Sequence, residues 1–242
     1  MKKILFDADM LLFVSCLGVE KPIDWGDGLW TLSCDFNEAS AEFSEMTANL
    51  IAKVLDHYKY EGRYEILMCL TDVANFRKEL LPEYKANRKG TRRPICFTPM
   101  REWIHKTFPT LQLPRLEADD CIGLSISDDC IIISGDKDMR CLPASFYDFK
   151  RNEYFETTEE EADYWHYYQT IVGDTADNYK GAAGYGPVKT KRLLDTKGAT
   201  WDTVLSAFGN DEDTALLSAQ VAHILRPGEY DLETGKVKLW NP

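Results

Sequence analysis

Acidic residues follow short apolar runs that have the composition of buried strands. These acids are Asp7 after Lys3–Phe6, Asp72 after Tyr64–Leu70, and Asp136 after Cys130–Ser134. The crevice outside the carboxyl ends of the strands is where open α/β sheets form their sites, so we expect these carboxylates to share one edge. Any one of them could instead be a helix cap or a solvated turn, which are common positions for aspartate.

Further acids stand at a predicted helix start and in two loops. They are Glu117, Asp119, Asp120, Asp138, Asp174 and Asp177. Converging carboxylates repel one another and raise each other's pKa values unless cations neutralise them. Oxygen ligands favour Mg²⁺ or Mn²⁺, and two such ions can assist the in-line displacement of a phosphodiester. The pattern therefore predicts a divalent-metal site for phosphate chemistry. Asp9 is a weaker candidate, which we expect to cap a helix or to lie just outside the site.

A basic segment runs from Arg77 to Arg93, with seven bases and two acids and a local charge of +5. Its bases are Arg77, Lys78, Lys85, Arg88, Lys89, Arg92 and Arg93. Phe76 and Tyr84 add rings on which a nucleic-acid base could stack. A solvated basic loop is the alternative, which composition alone leaves open.

A second basic element begins with the glycine hairpin, defined as residues Gly181–Gly186. Gly181, Gly184 and Gly186 allow tight turns and close backbone approach, and backbone N–H groups of a following helix can hold a phosphate. Lys189, Thr190, Lys191 and Arg192 follow directly. The pattern favours a helix–hairpin–helix that grips duplex backbone without reading sequence.

Predicted strands alternate with predicted helices along the chain, which indicates an α/β fold with a mainly parallel sheet. Helical patterns cover Ala39–Tyr58 and the residues after Thr98-Pro99, and Thr158–Glu161 has the form of a capping box. Turn signals at Asp27-Gly28, Arg151-Asn152 and Thr234-Gly235 predict hairpins. We divide the chain into a core, 1–165, and a duplex-binding region with a C-terminal extension, 166–242, packed as one unit.

The composition excludes several classes of protein. The 242 residues are 44% hydrophobic and 28% charged, as in ordinary globular chains, and no apolar run is long enough for a membrane span. Seven cysteines without a Cys-x-x-Cys pair argue against a disulfide framework or a zinc site, so we expect a cytoplasmic protein. The net charge of −12 argues against a nucleic-acid partner unless many of the acids bind metal.

In their order, these motifs resemble the flap endonuclease / 5′→3′ exonuclease family, particularly its compact bacteriophage members. The resemblance covers Asp7 to about Leu194. The motifs are Phe6–Asp9, Asp72 with Phe76-Arg77 and Tyr84–Arg88, Glu117–Asp120, Ser134–Asp138, and Val172–Asn178 with the glycine hairpin. Two departures are Tyr179-Lys180, where a proline is often found, and Gly184-Tyr185-Gly186 in place of Gly-Ile-Gly.

The resemblance implies a central sheet of the PIN/FEN type and two or three divalent ions. One ion would bind mainly to Asp7, Asp72, Glu117, Asp119 and Asp120, and the second mainly to Asp136, Asp138, Asp174 and Asp177. Residues 77–95, here called the arch segment, would cross over a 5′ single strand, with Lys85 and Arg88 at the scissile phosphate. The glycine hairpin would hold the duplex, with a bound K⁺.

The resulting hypothesis is a metal-dependent 5′→3′ exonuclease with flap endonuclease activity on DNA. Its partners would be 5′ ends, flaps, duplexes and RNA–DNA hybrids, and it would act as a monomer beside replication proteins. RNA primer removal or DNA degradation in phage replication and recombination would be its role. Two alternatives remain open at this point: a PIN-type ribonuclease, which would not need the glycine hairpin, and a non-catalytic relative that binds branched DNA.

Overall fold

The computed structural model describes every residue, Met1–Pro242. The strands are β1 Lys2–Asp7, β2 Lys21–Asp24, β3 Trp30–Ser33, β4 Tyr64–Cys69, β5 Thr110–Leu111, β6 Cys130–Ser134, β7 Ser145–Asp148, β8 Glu153–Glu156, β9 Gly173–Asp174 and β10 Tyr179–Lys180. The α-helices are α1 Ala8–Val19, α2 Phe36–His57, α3 Arg77–Leu80, α4 Phe97–Thr107, α5 Ala118–Leu124, α6 Glu159–Val172, α7 Pro187–Lys197, α8 Trp201–Ala207 and α9 Glu212–Ala222. Short 3₁₀ turns cover Ala86–Arg88 and Lys137–Cys141.

The central sheet has the order β5–β4–β1–β6–β7–β8, and every neighbouring pair is parallel except β7 and β8. The buried parts of the middle strands, such as Ile4–Phe6 of β1 and Ile131–Ile133 of β6, are continuous apolar runs because both faces of the sheet are covered. Ile4 and Phe6 of β1 pack on the side of α1, α2 and α4, whereas Leu5 packs on the side of α5. The predicted mainly parallel α/β fold is thus confirmed, and it places the carboxyl ends of β4, β1 and β6 side by side.

Local sequence signals account for several element boundaries. β2 and β3 pair across the turn at Asp27-Gly28, and β7 and β8 pair across Arg151-Asn152, as predicted. Thr158 caps α6 in the predicted capping box with Glu161. The start of α4 differs from the prediction, because Cys96 is its N-cap and Pro99 is its third residue. Proline is tolerated there because backbone N–H groups of the first helical turn have no partner within the helix.

The last four helices, α6 to α9, pack on one another. Ile171 of α6, Leu194 of α7, Val204 of α8 and Ala215 of α9 share one apolar cluster. The boundary expected after residue 165 falls inside α6, which is one continuous helix. The seven cysteines are all unpaired, and all except Cys34 are buried. None of the helices combines the length and apolar character needed to cross a membrane.

Candidate active site

Asp7 and Asp136 meet at the carboxyl edge of the sheet because of the register between β1 and β6. Phe6 lies opposite Ile133, so the next residues, Asp7 and Ser134, are also neighbours. The Ser134 hydroxyl donates to Asp7 Oδ2 at 2.8 Å, and the backbone N–H of Asp136 donates to Ser134 Oγ at 3.0 Å. Asp7 Oδ1 also accepts from the N–H of Met10, which caps α1. Sheet register and a helix cap therefore fix Asp7 in the site.

The acids of the edge influence one another through their charges. Burial raises the pKa of Asp7 to about 6, and the charges of Asp9 and Asp136 add to this effect. Burial, followed by the charges of Asp7 and Asp136, also raises the pKa of Asp119 well above its usual range. Asp7, Asp119 and Asp136 therefore form one electrostatic unit.

The second loop acids belong to the same unit. Burial raises the pKa of Asp138 to about 8, with further contributions from the charges of Asp136 and Asp174. Asp138 Oδ1 accepts a hydrogen bond of 2.5 Å from Gln169 Nε2 of α6. We refer to Asp7, Asp119, Asp136, Asp138 and Asp174 as the acid cluster.

Two basic side chains, Lys85 and Arg88, contact the acids Glu117 and Asp177 next to the acid cluster. Lys85 Nζ contacts Glu117 Oε1 and lies 3.5 Å from Asp177 Oδ2. Burial alone would raise the pKa of Glu117, but the charges of Lys85 and Arg77 outweigh it and lower the pKa to about 2. Arg88 Nη2 lies 2.5 Å from Asp177 Oδ1. Lys85 therefore bridges Glu117 and Asp177, which lie at the border of the acid cluster.

Three predicted or candidate acids are engaged elsewhere. Asp72 accepts from Arg115 N at 2.8 Å and from Gln112 Nε2 at 3.1 Å, and the bond from Arg115 leads the effects that lower its pKa. Asp9 accepts from Thr71 N and Arg101, just outside the site as expected. Asp120 forms a buried ion pair with Arg77. Neither Asp72 nor Asp120 is among the charges that raise the pKa values of Asp7, Asp119 and Asp138, so we do not count them in the acid cluster. Their assignment as metal ligands stays a prediction.

The acid cluster has the donor chemistry of a hard divalent cation. Its donors are all carboxylate oxygens, and Asp119 has no hydrogen-bond partner in the protein to compete with a cation. No three Asp, Glu, His or Cys side chains converge closely enough to enclose an ion on their own. Mg²⁺ commonly uses only one or two carboxylates and takes water and substrate phosphate for the rest. The residues thus fit an open site for hard cations.

The arch segment lies against the turn between β9 and β10. The N–H of Lys85 donates to Asp177 O at 2.8 Å, and Asn178 Nδ2 donates to Glu83 O at 2.8 Å. Lys85 itself has a left-handed backbone conformation, with φ of 55°. This conformation is uncommon for a residue with a side chain, and at functional sites the surrounding contacts enforce it. The segment folds as α3 and a 3₁₀ turn, followed by turns and irregular residues.

The residues predicted to bind DNA divide into buried and exposed sets. Arg77 and Tyr84 are each only 3% exposed, and Thr190 is fully buried, so these side chains do not face a ligand at the surface. The Tyr84 hydroxyl instead donates to Glu117 at 2.8 Å, and Phe76 is also buried, which removes the predicted stacking surface. The basic residues exposed at the surface are Arg88, Lys89, Arg92, Arg93, Lys189 and Lys191.

The glycine hairpin joins α6 to α7 through a close backbone contact. A side chain at Gly181 would place its Cβ 2.2 Å from Ile171 O, and one at Gly173 would place it 2.2 Å from Gly181 N. Gly181 is therefore required by packing rather than by a surface contact. Gly184, with φ of +77°, and Gly186 are exposed and have open space around them.

Several residues of the site were not found from the sequence. Ser134 and Gln169 orient Asp7 and Asp138, and Lys137 Nζ lies 3.6 Å from Asp174 Oδ2. Ser134 had a signal, because it ends the strand that leads to Asp136. Gln169 had none, since only the packing of α6 against the loop after β6 brings it near Asp138.

The fold and the edge site define an α/β protein with an acidic centre at the carboxyl ends of parallel strands. The family described as 5′-3′ exonuclease, N-terminal resolvase-like domain, matches residues 30–164, more than half of the chain. The chain belongs to this 5′-3′ exonuclease family, whose members are phosphodiester hydrolases. Of the three interpretations of the sequence, membership in this family is the one confirmed.

Curated relatives support the same family over the whole chain. An exodeoxyribonuclease of Enterobacteria phage T3 is 29% identical, and the match covers 99% of this chain and 92% of the relative. An exonuclease of Escherichia phage T7 is also 29% identical, over 99% of this chain and 93% of the relative. The protein is thus of the phage type within its family.

Solved structures share the fold at low sequence identity. The phage T5 5′-exonuclease with divalent metal ions (zinc) bound has a TM-score of 0.64 and 18% identity, over 92% of this chain and 89% of its own. The phage T5 flap endonuclease in a pseudo-enzyme-product complex with DNA and metal ions has a TM-score of 0.65, with the same identity and coverage. The PIN/FEN-like fold predicted from the sequence is therefore confirmed.

Proposed function

We propose that this protein is a metal-dependent 5′→3′ exonuclease that also cleaves flaps in DNA. The observation that carries the proposal is the acid cluster at the carboxyl edge of the sheet. Burial, followed by the charges of neighbouring acids, raises the pKa values of Asp7, Asp119 and Asp138 there. Such a cluster is stabilised by cations, and a phosphodiester substrate brings further negative charge to it. The metal-bound and DNA-bound T5 proteins of the same fold support this interpretation.

Two groups of carboxylates would hold the divalent ions, Mg²⁺ or Mn²⁺. Asp7 and Asp119, with Glu117 beside them, would hold the first ion, and Asp136, Asp138, Asp174 and Asp177 the second. When bound, a pair of such ions stabilises the attacking and the leaving oxygen of a phosphodiester. Ser134 and Gln169 would keep Asp7 and Asp138 oriented, since each donates a hydrogen bond to one carboxylate oxygen.

Lys85 and Arg88 would neutralise the negative charge that develops on the scissile phosphate. Both side chains already lie at the border of the acid cluster, in contact with Glu117 or Asp177. In the free protein these acids hold the two cations in place, so a phosphate entering the site would replace a carboxylate as their partner. Arg88 is the more exposed of the two and would meet the substrate first.

Duplex binding would fall to the region 166–242 and single-strand binding to the arch segment, packed as one unit with the core. Gly184, Gly186, Lys189 and Lys191 form an exposed basic stretch at the start of α7, where backbone N–H groups suit a phosphate. A K⁺ ion would bind at this helix–hairpin–helix when it holds the duplex. Lys89, Arg92 and Arg93 would contact the strand that enters the site.

The biological setting proposed for this activity is phage DNA replication or recombination in the host cytoplasm. Removal of RNA primers and degradation of duplexes from 5′ ends would be its tasks, as a monomer beside other replication proteins. The phage origin of its relatives supports this setting.

The test is Mg²⁺-dependent nucleotide release from 5′-labelled duplex and flap substrates. We expect Asp136→Asn to lower kcat by at least about 100-fold, because it removes a carboxylate of the second metal-binding group. Asp129→Asn is the matched control, since Asp129 is an exposed acid at the opposite end of β6. Equal activity in the wild type and Asp136→Asn, or equal activity in Mg²⁺ and in EDTA, would contradict the metal mechanism.

A further inference from the structure

We propose that Asp120 is a positioning residue that acts through Arg77 to hold the arch segment over the acid cluster, and that it binds no metal. The inference rests on the proposed function and reassigns one carboxylate that the sequence placed with the metal ligands.

Both oxygens of Asp120 are saturated by donors of the protein. Oδ2 accepts from Arg77 Nη1 at 2.7 Å and from Glu117 N at 3.1 Å. Oδ1 accepts from Arg77 Nη2 at 2.7 Å and from Leu225 N at 3.3 Å. The side chain is fully buried. A cation at this carboxylate would displace these donors and leave them buried without partners, which is unfavourable.

The hydrogen-bond donors of the Arg77 side chain are likewise all used within the protein. Its two Nη groups bind Asp120, Nη1 also lies 3.4 Å from Glu117 Oε2, and Nη2 donates to His223 O at 2.5 Å. Nε donates to Val221 O at 2.9 Å. Every N–H of the guanidinium therefore has an acceptor, in the bidentate arrangement that lysine cannot reproduce.

This ion pair is the fixed end of a chain of alternating charges. The chain runs in the order Asp120, Arg77, Glu117, Lys85, Asp177, Arg88. Arg77 begins α3 at the base of the arch segment, whereas Lys85 and Arg88 contact Glu117 and Asp177 at the border of the acid cluster. Tyr84 reinforces the middle of the chain, since its hydroxyl contacts both Glu117 and Asp177. Asp120 thus sets the place of the phosphate-binding side chains from a distance.

The decisive experiment compares Asp120→Asn with Asp119→Asn in metal binding and in turnover. Calorimetric titration of each DNA-free protein with Mn²⁺ counts the bound ions. We expect Asp119→Asn to lose or weaken one ion by at least about tenfold and Asp120→Asn to bind Mn²⁺ as the wild type does. In Asp120→Asn we expect kcat to fall at least about tenfold with KM for DNA changed less than about threefold, because Lys85 and Arg88 are displaced while the exposed duplex-binding surface is intact.

A second variant keeps the inference testable if Asp120→Asn does not fold. Arg77→Lys keeps the positive charge but loses the two parallel hydrogen bonds to Asp120. This variant should therefore also bind Mn²⁺ as the wild type does, with a lower kcat. The pair Arg77→Gln/Asp120→Asn, two amides that can hydrogen bond without an unpaired charge, should recover part of the kcat lost in Arg77→Gln alone.

The outcomes separate this inference from the proposed function. Loss of one Mn²⁺ in Asp120→Asn, to the extent seen in Asp119→Asn, would make Asp120 a metal ligand and overturn the inference alone. Wild-type kcat in both Asp120→Asn and Arg77→Lys would also overturn it. Absence of Mn²⁺ binding by the wild type would overturn the proposed function instead.

Discussion

The ammonium group of Lys137 lies among the carboxylates proposed to hold the second divalent ion. It stands in the sequence between Asp136 and Asp138, and its Nζ lies 3.6 Å from Asp174 Oδ2 and 3.9 Å from Asp138 Oδ1. Its side chain is about half exposed, so solvent screens these contacts and their net strength is about 1 kcal/mol or less. In the metal-free protein Lys137 reduces the repulsion between these acids, and a bound divalent ion would take over that task.

We therefore expect Lys137→Ala to tighten metal binding. Removing a competing positive charge worth about 1 kcal/mol should lower the Mn²⁺ dissociation constant about fivefold. Calorimetry on the DNA-free protein measures this change directly. Lys106→Ala, which removes an exposed lysine that forms no ion pair, should leave the constant unaltered. Unchanged or weaker binding in Lys137→Ala would show that this lysine does not compete with the ion.

At the scale of elements, the end of α6 carries the loop acids into the site. Gly173 and Gly181 let the β9–β10 pair lie directly on the last turn of α6, where the N–H of Ala182 donates to Ile171 O at 2.8 Å. Asp174 and Asp177 stand on this pair and its turn. The close contact of two backbones thus determines how far these acids reach toward Lys85 and Lys137.

Gly181→Ala should destabilise the fold, because the new Cβ would lie 2.2 Å from a backbone oxygen. Overpacking against rigid backbone typically costs about 2–3 kcal/mol, which should appear as a lower midpoint of urea unfolding. Gly18→Ala in α1 is the control, since nothing lies within 4 Å of the added Cβ. It should be neutral or more stable by about 0.5–1 kcal/mol. Equal stability of Gly181→Ala and the wild type would show that the contact relaxes freely.

The elements also show why sequence reasoning reached some site residues and missed others. Asp7 and Asp136 could be predicted because a buried strand signals its own end and parallel strands end at one edge. The partnership of Arg77 with Asp120, and the burial of Tyr84 and Thr190, could not, because these depend on residues such as Leu225 that are distant in the chain. A basic composition shows that a segment is charged but not which of its bases are already paired within the protein.

At the scale of the whole molecule, position matters more than the net charge of −12. Many acids are neutralised within the protein: Asp120 by Arg77, Asp177 by Arg88 and Glu117 by Lys85. Exposed bases remain at the arch segment and on α7. An acidic protein can therefore present basic surface to a polyanion, and its acidic total includes the residues that would bind metal.

Trp240, near the end of the chain, packs on the buried histidine His166, whose burial makes global stability depend on pH. His166 of α6 lies beside His223 and Trp240, and its Nε2 is 2.9 Å from Ala219 O. Burial, then the nearby His223, lowers its pKa to about 3. An unfolded histidine titrates near pH 6.5. Below about pH 6.5 His166 binds a proton in the unfolded chain but stays neutral in the folded protein. The free energy of unfolding must therefore fall as pH falls.

His166→Gln should remove this contribution while keeping a donor for Ala219 O. Relative to the variant, the wild type should lose about 2 kcal/mol of unfolding free energy between pH 7 and pH 5, because one extra proton binds to the unfolded chain. Urea titrations in EDTA measure the difference without metal at the acid cluster. The same replacement at the exposed His105 is the control, and it should leave in place the pH dependence that His166 causes. A constant gap between the wild type and His166→Gln would mean that His166 takes up its proton while the protein stays folded.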